Sequence, residues 1–184
     1  MPIQPWTKSH EKALGDFRIF RLRSDAKISP RTGTTHDFFV IDCVNWVNVI
    51  ALTPDHQIVM VEQYRHGSNT VELEIPGGMM DPTDASPEET AVRELGEETG
   101  YEGENARIIG RVFPNPAIMS NICYTVLIEN CRLVHPISLD SGEDVLTLLL
   151  PAQQLPKLVA SGKIQHSLVV AALYQFALGR GVSV

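Results

Sequence analysis

A chain of 184 residues, 43% of them hydrophobic, can bury a real core in one domain and still carry a small arm. A formal net charge of −7 argues against the basic footprint of a nucleic-acid binder. No run approaches the roughly 18 consecutive apolar residues of a membrane span, and the polar segment Met1 to Lys12 has no apolar stretch of a secretion signal, so a cytoplasmic, membrane-free protein is expected. The three cysteines, Cys43, Cys123 and Cys131, are odd in number and lack metal spacing, which reads as reduced thiols.

Strand-like runs come first along the chain: Phe17–Leu22, His36–Cys43, Val47–Leu52, Gln57–Gln63 and Val71–Ile75. The Ser, Thr, Gly and Pro of Ala26–Thr35 read as a loop joining an N-terminal strand to the main body. Thr53-Pro54-Asp55-His56 reads as a hairpin turn, because Pro presets φ and Asp tolerates turn geometry. A helix is predicted over Pro87–Thr99. Ser86 is its N-cap, Pro87 its first residue, Glu89 completes a capping box, and Gly100 ends it. Strands follow at Ala106–Val112, Tyr124–Ile128 and Val145–Leu150, then helices at Ala152–Ala160 and Leu168–Leu178. The order predicts a mixed sheet sandwiched by helices.

The central helix is the informative element. Glu94, Glu97 and Glu98 stand at i, i+3 and i+4 and share one face, while Ala91 and Leu95 form the neighbouring anchoring stripe. Like charges at this spacing cost about 0.2–0.5 kcal/mol per pair. Carboxylates in a last turn also oppose the helix dipole, at about 0.3–1 kcal/mol each. The helix thus obeys the rules at its start and breaks them on one face near its end, where function is expected. A solvated acidic face is the competing reading. A cation would resolve the repulsion, and carboxylate oxygens with retained waters suit Mg²⁺. Arg93, four residues before Glu97, can pair with it.

With its flanks, Gly77-Gly78-Met79-Met80-Asp81-Pro82-Thr83-Asp84 and Arg93-Glu94-Leu95-Gly96-Glu97-Glu98-Thr99-Gly100-Tyr101, this helix resembles the Nudix box, Gx5Ex7REUxEExGU. The second half matches throughout. The first departs twice: Asp84 stands where the box has Glu, and one extra residue separates it from Arg93. Asn45-Trp46-Val47-Asn48-Val49-Ile50, Glu62-Gln63-Tyr64-Arg65-His66-Gly67, Glu74-Ile75-Pro76, Phe113-Pro114-Asn115-Pro116-Ala117 and Leu139 to Val145 resemble the ADP-ribose and nucleoside-diphosphate-sugar branch of Nudix hydrolases.

The resemblance implies an α/β/α sandwich over residues 41–184, preceded by an N-terminal strand arm, residues 1–40, that builds a homodimer. It implies Mg²⁺, with Mn²⁺ as the substitute, bound by Glu94, Glu98, Glu97 and the Gly77 carbonyl. It also implies hydrolysis of the diphosphate of a nucleoside diphosphate sugar, ADP-ribose foremost. Metal would reconcile an acidic protein with an anionic substrate. Arg93 is expected to orient Glu97, and Arg65 to contact substrate through its planar fork. Trp46 is a candidate for stacking on the base, though strand tryptophans are more often core or interface. The general base is expected from Glu143, with Asp140 next and an acidic turn as the plain alternative. Two alternatives are carried: clearance of oxidised nucleoside triphosphates, which uses the same box, and non-catalytic sensing of a nucleotide sugar, against which the retention of all three box glutamates speaks.

Overall fold

A computed structural model describes residues 2–139, 142 and 144–179. The chain divides into two compact units, Met1–Val44 with Phe113–Ile122, and Asn45–Val112 with Cys123–Val184.

In the first unit, β1 (Thr7–Asp16), β2 (Arg21–Ile28) and β3 (Thr35–Asp42) form an antiparallel meander in the order β1-β2-β3. The expected strand at Phe17–Leu22 straddles the β1–β2 turn instead. Asp16 Oδ1 accepts the Arg18 amide at 3.1 Å, Arg18 takes a positive φ of 70°, and the Phe17 and Phe20 rings stack at 5.0 Å. The apolar run that suggested a strand is therefore aromatic packing across a turn. The strand itself hides in the polar segment before it, because nearly every residue of β1 is exposed and no apolar alternation is needed. The predicted loop shrinks to Ser29–Thr34, closed by the Ser29 amide on the Thr34 carbonyl at 2.9 Å and by Gly33 at φ 71°. The Phe113–Ile122 segment returns to the end of β3, where the Ile41 amide meets the Ile118 carbonyl at 2.7 Å.

The second unit carries β4 (Trp46–Ala51), β5 (Gln57–Arg65), β6 (Thr70–Glu74), β7 (Gly77–Met79), α1 (Pro87–Thr99), β8 (Tyr101–Val112), β9 (Cys123–Leu133), β10 (Val145–Pro151), a 3-10 turn (Ala152–Gln154), α2 (Leu155–Ala160) and α3 (Ser167–Gly179). One sheet has the order β7-β4-β9-β8, with β4 and β9 parallel and the other pairs antiparallel; a second, antiparallel sheet has the order β10-β5-β6. Alternation along β4 sorts the core into two layers. Val49 and Ala51 pack with Ala91 and Leu95 of α1, whereas Ile50 packs with Val169, Ala172, Leu173 and Phe176 of α3. One helix therefore covers each face of the sheet, which is the expected α/β/α sandwich.

β8 begins at Tyr101, five residues before its expected start. Register breaks near Glu104 and a positive φ of 57° at Asn105 disguise this half of the strand. All three cysteines are free, and burial pushes the Cys123 and Cys131 thiols up to about 12.

Candidate active site

Helix α1 forms as its ends dictate. Ser86 Oγ accepts the Glu89 amide at 3.2 Å, and Glu89 Oε2 accepts the Ala85 amide at 2.8 Å, one residue upstream of where an ideal capping box returns. Gly100 closes the helix at φ 73°, donating to the Gly96 carbonyl. Beyond it, the Val134 and His135 amides reach the Gly100 carbonyl at 2.9 and 3.1 Å, and the Ser138 amide reaches the Glu97 carbonyl at 3.0 Å. The last turn holds no basic residue, so these amides serve where a cation would otherwise complement the dipole.

The three glutamates of the shared face meet different surroundings. Glu98 is buried, and its Oε2 accepts the Gly77 amide at 3.1 Å. The largely buried Glu94 carboxylate lies over Gly78, where a Cβ would come within 2.4 Å of its Oε1 and 2.7 Å of its Oε2. Glu97 is half exposed and turns to Arg93. Glu94 and Glu98 therefore converge on one glycine pair, held close by strand pairing: Gly77 lies opposite Asn48 and Gly78 opposite Val47. A side chain at Gly77 would stand 2.3 Å from the Val47 carbonyl. Only glycine admits this approach at both positions.

Arg93 joins the acids. Its Nε and Nη2 donate to Asp84 Oδ1 and Oδ2 at 3.2 and 2.9 Å, and Nη2 also reaches the Met79 carbonyl at 3.3 Å. Its Nη1 lies 3.0 Å from Glu94 Oε1 and 2.9 Å from Glu97 Oε2. Asp84 further accepts from the Asp81 amide and the Thr90 hydroxyl, each at 2.9 Å. The Arg93 hydrogen bonds, foremost, hold the Asp84 carboxyl down to about 2, and the same contact raises Arg93. The shorter acid in the longer loop thus reaches the arginine in full, bidentate fashion.

Among the described residues, no three His, Cys, Asp or Glu side chains converge as one metal-binding group in this arrangement. What is present is a pair of carboxylates set against backbone free of side chains, and carboxylate oxygens are hard donors of the kind Mg²⁺ or Mn²⁺ takes. The donor set therefore fits a divalent cation.

Arg65, at the end of β5, donates from Nε and Nη2 to Glu74 Oε1 and Oε2 at 2.7 and 2.9 Å. Trp46 is partly buried at the start of β4, in register with Met79 and Cys123. Glu143 and Asp140, the candidates for general base, lie outside the described residues. Sequence reasoning missed two polar residues inside the sheets. Asn48 is buried and donates from Nδ2 to the Leu168 carbonyl at 2.9 Å, tying β4 to the first turn of α3. Glu74 is buried at an inward position of β6. Its signal was an acid between Leu73 and Ile75, directly before Pro76 and the glycine pair.

Fold and site together define an α/β/α hydrolase-type scaffold built on an acidic helix and a glycine pair. The chain belongs to the Nudix family of hydrolases: residues 45–172 match the NUDIX domain model. It is 32% identical over 165 residues to the ADP-sugar pyrophosphatase of Mus musculus, covering 86% of this chain and 73% of that one. It is 30% identical over 133 residues to the ADP-ribose pyrophosphatase of Bacillus subtilis, covering 72% of this chain and 71% of that one. A methanol dehydrogenase activator of Bacillus methanolicus is 30% identical over 162 residues, covering 88% and 86%. A crystal structure of an ADP compounds hydrolase superposes with a TM-score of 0.82 over 100% of both chains at 20% identity, a likeness of fold. No helix among the described residues is long and apolar enough to cross a membrane.

Proposed function

We propose that this chain hydrolyses the diphosphate of a nucleoside diphosphate sugar in a Mg²⁺-dependent reaction, with ADP-ribose as substrate and AMP and ribose 5-phosphate as products. The observation that carries the reading is the convergence of Glu94 and Glu98 on the Gly77-Gly78 pair. The names of the mouse and Bacillus subtilis relatives supply the substrate class.

Glu94, Glu98 and the Gly77 carbonyl would hold the metal, with Mn²⁺ as a substitute and Glu97 as an outer member. When bound, such an ion neutralises diphosphate charge and lowers the pKa of a coordinated water. The chain's own residues do the rest. Arg93 orients Glu97 and Glu94 through Nη1 while Asp84 holds its other edge. Arg65 offers a cation to phosphate oxygens, and Trp46 one side of the base site. Glu143, with Asp140 as the other candidate, accepts the proton of the attacking water. We assign the N-terminal strands to a homodimer of a cytoplasmic enzyme. Phe17, Ile19 and Phe39 are each more than half exposed on that unit, which suits burial against a second copy.

The test is product analysis of a substrate panel with Mg²⁺, with Mn²⁺ and with chelator. AMP and ribose 5-phosphate from ADP-ribose, lost on chelation, is the expected result. A nucleoside monophosphate and pyrophosphate from a triphosphate would favour clearance of oxidised nucleoside triphosphates instead. Binding of ADP-ribose without turnover would indicate a sensor.

A further inference from the structure

We propose that Glu74 is a positioning residue that fixes the Arg65 guanidinium on the substrate side of the β10-β5-β6 sheet. This rests on the proposed role of Arg65 in holding the diphosphate.

Strand register sets the face. Cross-strand partners share a face, as do alternate residues of one strand. Val59 packs with Ala91 and Leu95 of α1, whereas Ile58 and Met60 pack in the α3 layer. Val59, Val61, Gln63 and Arg65 therefore line the α1 side of β5. Glu74 lies opposite Val61 and so joins them, three residues before Gly77. The fork between Arg65 and Glu74 thus lies on the face of β5 that shares its core cluster with Ala91 and Leu95 of α1.

Direction follows from reach. Arg65 and Val61 are four residues apart, roughly 13 Å along a strand at about 3.3 Å per residue. For Arg65 to meet Glu74 at 2.7 and 2.9 Å, both side chains must extend toward each other along the sheet. The arginine is laid back over β5 toward the glycine pair rather than left at the hairpin end. Glu74 is 2% exposed, whereas the Arg65 side chain is 41% exposed. One partner is rigid and buried, the other accessible. A bidentate, charge-assisted pair of that kind sets the plane of the guanidinium. An ion pair serving only the hairpin has no need of a buried acid, since apolar residues of similar volume serve stability as well or better.

The experiment is a double-mutant cycle on ADP-ribose hydrolysis, using Glu74→Gln, Arg65→Lys and the double variant, with thermal melting of each. Glu74→Gln is expected to raise KM and lower kcat/KM by about tenfold or more in the parent chain. In the Arg65→Lys background the same change should alter kcat/KM less than about twofold, since an ammonium has no planar fork whose orientation Glu74 could set. Should Glu74→Gln not fold, Glu74→Asp, which keeps the charge and shortens the reach, serves the same cycle. Equal effects of the Glu74 change in both backgrounds, or a lower Tm with unchanged KM and kcat, would overturn the proposal while leaving Arg65 on substrate. An Arg65→Lys enzyme with parental kinetics would overturn the role of Arg65 and this proposal with it. A parent chain that leaves ADP-ribose intact would remove both.

Discussion

Asp84 is the place where this chain departs from the Nudix box, and its contacts turn the departure into a measurable quantity. The side chain is 9% exposed and receives two hydrogen bonds from Arg93. Its pKa falls from 3.8 to about 2. Holding the carboxyl that low corresponds to about 2 kcal/mol, and residual solvent access brings the expected contribution to about 1–2 kcal/mol. The folded-state value lies below the unfolded one. The stabilisation is therefore complete above about pH 4, fades as pH falls, and is gone below about pH 2. Asp84→Asn should lower Tm at pH 7 by about 2–8 °C, given about 2–4 °C per kcal/mol for a domain of this size. The gap between parent and variant should narrow steadily from pH 4 to pH 2.5 in urea titrations. Asp84→Glu is the sharper test. It restores the family residue, but the loop is already one residue longer and the site closely packed, so the added methylene should destabilise by about 1–3 kcal/mol. An Asp84→Glu chain as stable and as active as the parent would refute the claim that the short acid and the long loop compensate each other. So would an Asp84→Asn variant whose deficit did not change with pH.

Three further outcomes are expected. Glu98→Gln should reduce kcat/KM for ADP-ribose by about a hundredfold or more while the far-ultraviolet circular dichroism is kept, since it weakens the proposed metal ligand without changing shape; isothermal titration with Mg²⁺ checks the same change directly. Gly78→Ala puts a Cβ 2.4 Å from Glu94 Oε1, so the carboxylate must swing aside, with loss of Mg²⁺ affinity exceeding loss of Tm. Gly100→Ala should act the other way, lowering Tm through a strained φ of 73° and a Cβ 2.1 Å from the His135 carbonyl, at about 1–3 kcal/mol.

Much of the helix is legible in the order of residues alone. Caps and face spacing are local properties: Ser86, Glu89 and Gly100 lie within one helix of each other, and Glu94, Glu97 and Glu98 inherit their common face from 3.6-residue periodicity. The same holds for the core strands β4, β5 and β9, whose apolar runs reflect burial on both sides. β1 is illegible for the converse reason: an exposed strand imposes no hydrophobic pattern. The Phe17–Phe20 turn reads wrongly as a strand because aromatic residues carry strand propensity wherever they pack.

Which of the acids would be buried, which would face Arg93, and which would lie against glycine depended on distant segments. Gly77 meets Glu98 only because β7 pairs with β4 and α1 crosses that edge, a juxtaposition of residues 21 positions apart. The bond between Arg65 and buried Glu74 likewise depends on hairpin register, and the passage of Ser138 over the Glu97 carbonyl depends on where β9 ends. Periodicity assigns a residue to a face. Long-range pairing assigns that face its neighbours, and neighbours decide charge, burial and reach.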